Sequence, residues 1–150
     1  MRSLVVLLAA GFLVSCSGNG GPETLVKGKD TCAHCRMPIS DLHFAAQIIA
    51  PGELTLFFDD PGCLGQFVVS GQVKGEGATA WVADHRTGAW IRADLAVYTR
   101  VPDLRTPMNH NLVAHESVAS RAADPEVRGG HAVDLEQIFG PKGPPVGVER

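Results

Sequence analysis

Apolar positions along the chain fall in short runs separated by glycine, proline and aspartate, a pattern of brief buried strands rather than long amphipathic helices. Residues 43–50 (His-Phe-Ala-Ala-Gln-Ile-Ile-Ala) read as one strand, Pro51-Gly52 as a turn and residues 53–58 as a second strand. Asp59-Asp60-Pro61-Gly62 then predicts a helix start. The Asp60 carboxylate can accept from the free amides of the first turn, and Pro61, at the first helical position, gives up no hydrogen bond. The helix runs over 63–69 and stops at Ser70-Gly71. After a linker at 75–77, residues 80–83 and 89–91 flank the turn 84–88 as a hairpin, and 97–101 form a further strand. Residues 112–115 predict a strand and 117–123 a helix ended by Asp124-Pro125. A last short helix spans 134–139, closed by Gly140.

The order loop, strand and helix occurs twice, with Met37 and Met108 each a few residues ahead of a strand. The expected fold class is α+β: two similar small halves, about 28–74 and 78–140, each a short antiparallel sheet with a helix in a ββαβ-like order. Residues 141–150 are too rich in proline and glycine to pack and are expected to be a mobile tail.

One apolar run is longer. Arg2 precedes eleven uncharged residues, 4–14, the length of a signal-peptide core and short of the roughly 20 that span a bilayer. It ends in Leu13-Val14-Ser15-Cys16, similar to the lipobox of exported lipoproteins, so residues 1–15 are expected to be cleaved and Cys16 to be lipidated. Residues 16–27, beginning with a Ser-Gly-Asn-Gly-Gly stretch, then serve as a flexible tether. The expected location is a bacterial membrane, with the domain facing the periplasm or the cell exterior.

Composition narrows the function. A chain of 150 residues with 45% hydrophobic and 19% charged positions is globular and too small for a multidomain enzyme. Its net charge of −3 provides no electrostatic footprint for nucleic acid. No Ser/His/Asp set, phosphate loop or paired-carboxylate motif is present, so no catalytic residues are assigned.

The chemistry lies in sulfur. Apart from Cys16 the chain has Cys32, Cys35 and Cys63, an odd number for an exported protein. Cys32-x-x-Cys35 alone fits a redox disulfide, zinc or copper. A thioredoxin-like site needs the pair at a helix start after a central strand, whereas Pro38 and turn residues follow here. A zinc ribbon needs a second pair of knuckle ligands that the chain lacks. Met37, two residues past Cys35, shifts the balance, because a soft thioether suits Cu(I) better than zinc. Met108 also lies in a loop, between Pro107 and Asn109. His34 reads as an exposed loop residue and His110 as an auxiliary ligand or surface filler. Cys63, in the first turn of a helix, sits where a thiolate is favoured, and equally where a small apolar side chain packs. Asp59-Asp60 is capping chemistry first. His43, His85, His115 and His131 show no metal-like spacing and are left structural.

The lipobox, the Cys-x-x-Cys-x-Met loop, Phe57-Phe58-Asp59 and Thr106-Pro107-Met108 together resemble the NosL family, copper-binding lipoproteins that assist maturation of nitrous-oxide reductase in denitrification. The resemblance implies a Cu(I) metallochaperone, not an enzyme, that passes copper to an ABC-transporter-associated maturation complex and a client copper enzyme. By position it implies Cys35 and Met37 as leading ligands, Met108 supplied from the other half, and Cys32 as a further ligand or transfer thiol. Arg36 departs from the family, whose members commonly have glycine between the second cysteine and the methionine. The competing expectations are an extracytoplasmic thiol-disulfide oxidoreductase using Cys32 and Cys35, and a zinc-stabilised structural module.

Overall fold

Among the described residues, 21–147 of the computed structural model, seven short strands form two antiparallel sheets. The expected signal sequence and the expected lipidation site Cys16 lie outside these residues. The elements are β1 (Ala46–Ile49), β2 (Leu56–Phe58), α1 (Pro61–Val69), β3 (Thr79–Ala83), β4 (Trp90–Arg92), β5 (Val97–Arg100), β6 (Leu112–His115), α2 (Val118–Ala123), β7 (His131–Val133) and α3 (Leu135–Phe139). One sheet has the order β2-β1-β3-β4 and the other β6-β5-β7. The strand expected from residue 43 begins only at Ala46. The Asp41 carboxylate accepts from the His43 amide (2.9 Å), turning the chain before it can extend. The strand β7 had no sequence signal: it is only three residues long and mostly exposed, held in place by antiparallel pairing with β5.

The fold is a duplication. In each unit a first strand pairs with both the second and the third, antiparallel, and a helix follows the second: β1-β2-α1-β3 and β5-β6-α2-β7. Equivalent registers are Ala46 opposite Phe58 and Val97 opposite His115. The helices begin alike, at caps Asp60 and Ser117, whose side chains accept from the amide three residues on. Two expectations are thereby corrected. The β3–β4 hairpin belongs to the first sheet, so the division falls between residues 92 and 97 instead of 74 and 78. The Met108 loop lies between β5 and β6, the place held in the first unit by the Pro51-Gly52 turn. Met37, ahead of β1, is therefore not its repeat counterpart.

One apolar core joins the units: Phe58, Leu64 and Phe67 of the first pack in the same cluster as Tyr98, Leu112, Ile138 and Phe139 of the second. Each fully buried side chain of this size contributes about 1.5–3 kcal/mol. α1 lies against α3 so closely that a Cβ on Gly65 would stand 2.5 Å from the carbonyl oxygen of Ile138. Both chain ends are better fastened than their composition predicts. Glu23 exchanges backbone bonds with the Gln47 amide (2.9 and 3.2 Å) and Leu25 is buried, so the expected tether gives way to packed chain before residue 27. The expected mobile tail instead lies along β3 as far as residue 147. The Ala80 amide donates to Pro145 O (2.9 Å) and the Gly147 amide to Thr79 Oγ1 (3.0 Å). Proline and glycine bar a helix, but an extended segment on a sheet edge needs only its carbonyls and an occasional amide.

Candidate metal centre

Cys32 stands where the chain touches the outer edge of β2, forming a parallel bridge with Phe57 that the Ala33 amide completes by donating to Phe57 O (2.7 Å). Thr31 bridges Pro38, and the Cys32 amide donates to Met37 O (2.8 Å), closing residues 32–37 into a tight loop. The loop turns through Arg36, which adopts a left-handed φ of 65°. Cys63 enters from the first turn of α1, its amide bonded to the Asp60 carboxylate at 2.8 Å. The Sγ atoms of Cys32, Cys35 and Cys63 all lie within 4.8 Å of one another, and none is in a disulfide. Cys32 and Cys63 are buried and Cys35 is half-buried.

The three thiols differ in charge. A hydrogen bond from the Cys63 thiol, aided by the Cys35 amide (3.4 Å), holds Cys32 well below the ordinary thiol range, against the opposing effect of burial. The same bond and burial push Cys63 up. Desolvation raises Cys35. Cys32 is therefore the most readily ionised of the three, with the Cys63 thiol donating to it. Of the two readings of Cys63, the packed small side chain fits: it is buried, donates to Cys32 and faces the Asp60 charge, all of which push its thiol up.

Asp60 ties the methionine loop to this cluster. Beyond capping α1, its fully buried carboxylate accepts from Thr106 Oγ1 (3.3 Å), the Met108 amide (3.3 Å) and His110 Nδ1 (2.8 Å). Burial opposes ionisation of Asp60, but the His110 and Cys63 bonds outweigh it and leave the carboxylate below its usual range. The same pairing raises His110. The imidazole lies directly over the start of α1, where a Cβ on Gly62 would collide with its ring. Met108 is half-buried against the core cluster that contains the thiols, whereas Met37 is 52% exposed at the surface of the Cys loop. Of the expected ligand residues, Cys32 and Cys35 are gathered with Cys63, and the backbone of Met108 is tied to Asp60, the cap of the helix that carries Cys63. His34 is a partly exposed loop residue, and His110 is committed to Asp60. Neighbouring Asp59 accepts from Ser40 N (2.8 Å) and Oγ (3.1 Å), and burial pushes its carboxyl up.

The same frame recurs in oxygen where the β3–β4 turn meets the second unit. Asp84 bridges Ala114 in parallel as Cys32 bridges Phe57, and the His85 amide donates to Ala114 O at 2.8 Å. Three residues on, Thr87 donates to Asp84 (2.9 Å), as Cys35 does to Cys32. Ser120, three past its helix cap as Cys63 is past Asp60, donates its hydroxyl to Asp84 at 2.8 Å. Cys32, Cys35 and Cys63 thus correspond to Asp84, Thr87 and Ser120. One frame suits a soft metal; the other is a closed hydrogen-bond network. The equal offsets from the two caps were visible in the sequence, but only the parallel bridges show that they mean equivalent places. Of the histidines left structural, His131 is exposed on β7 and His43 bonds His85 O at 2.8 Å. His85 and His115, contrary to expectation, meet on one carboxylate, Asp124.

The Cys32–Cys35 pair sits in a turn, not at the start of a helix, so it lacks the dipole that activates thioredoxin-like thiols. Three converging sulfurs, one of them favoured to ionise, form a cluster that could hold a thiophilic metal ion. Among models of known protein families, NosL matches residues 23–140. No curated protein matches the chain.

Proposed function

The chain belongs to the NosL family, and from that premise we propose that it is a membrane-anchored, extracytoplasmic carrier that holds one Cu(I) as cargo and delivers it to the maturation machinery of a copper enzyme, nitrous-oxide reductase above all. In this reading Cys35, Met37 and Met108 are ligands, Cys32 is a ligand or the transfer thiol, Cys16 carries the lipid anchor, and the receiving partner is an ABC-transporter-associated complex. The observation that carries the proposal is the gathering of three thiols, with a methionine loop tied to the Asp60 cap of the helix that supplies one of them. Thiolate and thioether donors suit a soft monovalent ion. The exposure of Met37 supports delivery: a ligand at the surface can be exchanged for a partner's ligand one bond at a time, which a closed structural site prevents. Among the described residues no helix is long and apolar enough to cross a membrane, in keeping with attachment through a lipid.

Competition titration of the reduced protein with a Cu(I)-specific chelator tests the ligand set. Cys35→Ser is expected to lose most of the affinity. Met108→Ala should weaken it about tenfold, or about 1.4 kcal/mol, and Cys32→Ser should fall between. If Met108→Ala matches the parent while both cysteine variants collapse, the metal is held by the thiols alone and the bridging methionine is wrong.

A further inference from the structure

We propose that the meeting place of the β3–β4 turn and the second unit carries a separate site for one divalent first-row ion of the zinc type, formed by His85, His115 and Asp124. His85 Nδ1 and His115 Nε2 both aim at Asp124 Oδ2, at 2.7 and 3.0 Å, and all three residues are buried. Their donor atoms converge within 4.8 Å, in the copy of the frame whose thiol positions are taken by Asp84, Thr87 and Ser120. A zinc ion bound at about 2.0–2.1 Å sets tetrahedral donors about 3.3 Å apart, so the trio must open by only about half an ångström.

The duplication provides an internal control. His85 occupies the place of Ala33, next to the bridging residue, and His115 that of Phe58, opposite the first strand. Asp124, seven residues past the helix cap, holds the place of Phe67. In the first unit these positions are plain apolar packing, with the Phe58 and Phe67 rings edge-on at 5.2 Å. The frame therefore folds without polar groups there, and a buried ionisable trio is costlier than the aromatic pair it replaces. His115 also has an Nδ1 with no hydrogen-bond partner. The one nitrogen of His115 that has a partner is the one aimed at the convergence point.

Access and chemistry agree. A cleft of about 400 Å³ reaches His85 and Asp124 from the surface, with Asp41, His43, Arg86 and Glu126 among its walls. Each imidazole would ligate as the neutral ring with its proton on the other nitrogen. For His85 that is Nε2, which lies 3.6 Å from Glu126 Oε2, a carboxylate placed to steady it. Three protein ligands leave a fourth position open toward the cleft. Two imidazoles and a carboxylate favour zinc or a similar divalent ion, whereas Cu(I) is better suited by the sulfur-rich centre.

Co²⁺ distinguishes the two centres, because thiolate ligation adds an intense sulfur-to-cobalt charge-transfer band that nitrogen and oxygen ligation lack. Titrating Co²⁺ into the reduced chain should reveal a component with ligand-field bands alone, displaced by Zn²⁺ and unchanged in Cys35→Ser. His85→Gln should weaken that component at least about a hundredfold. His115→Gln should do the same, with circular dichroism reporting whether it folds. If it does not, paramagnetically shifted imidazole resonances from two histidines of the Co²⁺-loaded parent are the expected result. A parent whose Co²⁺ signal is all thiolate-type, or a component that survives His85→Gln, would overturn the site.

Discussion

Arg36 occupies the turn of the thiol loop where the backbone is left-handed, at φ 65°. That conformation costs a residue with a Cβ about 1–2 kcal/mol, which is the physical reason glycine suits this place. Arg36→Gly should therefore stabilise the fold by about 0.5–1 kcal/mol, after allowing for the greater unfolded-state freedom of glycine. It also removes a positive charge from beside a cation site, so Cu(I) affinity should equal or exceed that of the parent. Urea unfolding and chelator competition on the same preparation check both parts. A clear loss of copper affinity would show that the arginine side chain itself organises the loop.

α1 is the element on which the centre depends. Its cap fastens the Met108 loop, its first turn supplies Cys63, and its glycine face lets α3 and His110 approach. Helix propensity alone predicts that Gly65→Ala stabilises by up to about 1 kcal/mol. Packing predicts the opposite. The new methyl would meet the Ile138 carbonyl oxygen at 2.5 Å, a backbone atom that moves only if α3 shifts. Overpacking of this kind costs about 1–3 kcal/mol. The expected net result is a less stable protein, seen as a lower urea midpoint, with copper binding kept as long as the Asp60 bonds survive.

At the scale of the whole molecule, carboxylates fasten the two units together. Asp60 reaches across to the Met108 loop, and Asp84, at the end of β3, accepts from the Glu116 amide (2.8 Å) and Ser120 beside α2. Burial works against the Asp84 charge, but the bonds from Glu116, Ser120 and Thr87 prevail and hold its pKa down to about 2. A folded-state pKa below the unfolded value of about 3.9 means the stabilisation is complete at neutral pH and is lost as pH falls from about 4 to 2. For Asp84 this amounts to about 2 kcal/mol, and Asp60 and Asp124, also lowered, act in the same direction. Asp59, raised by burial, works in the opposite sense. Urea unfolding between pH 7 and pH 2.5 should show a steep acid loss of stability, and Asp84→Asn should start less stable and lose less. An unchanged acid limb in that variant would remove Asp84 from the account.

The local elements were determined by the sequence because their causes are local. Asp60 before Pro61, Ser117 three residues before Ser120, and glycine after Phe139 act within a helical turn, and α1, α2 and α3 form where these signals stand. The Cys-x-x-Cys-x-Met loop was legible for the same reason, since its donors lie within six residues. What pairing over long separations decides was not legible. The first sheet claims β3 and β4 through register with β1, β7 exists through β5, and the proline-rich end is held by the edge of β3. The sites divide along the same line. Cys63 joins Cys32 across 31 positions, and His85 meets His115 and Asp124, because each helix folds back over its own sheet. Linear spacing carries no trace of a contact made by folding two strands and a helix together. The duplicated frame sets both places, and the side chains at equivalent positions make one of them a cluster of three thiols and the other the hydrogen-bonded Asp84, Thr87 and Ser120.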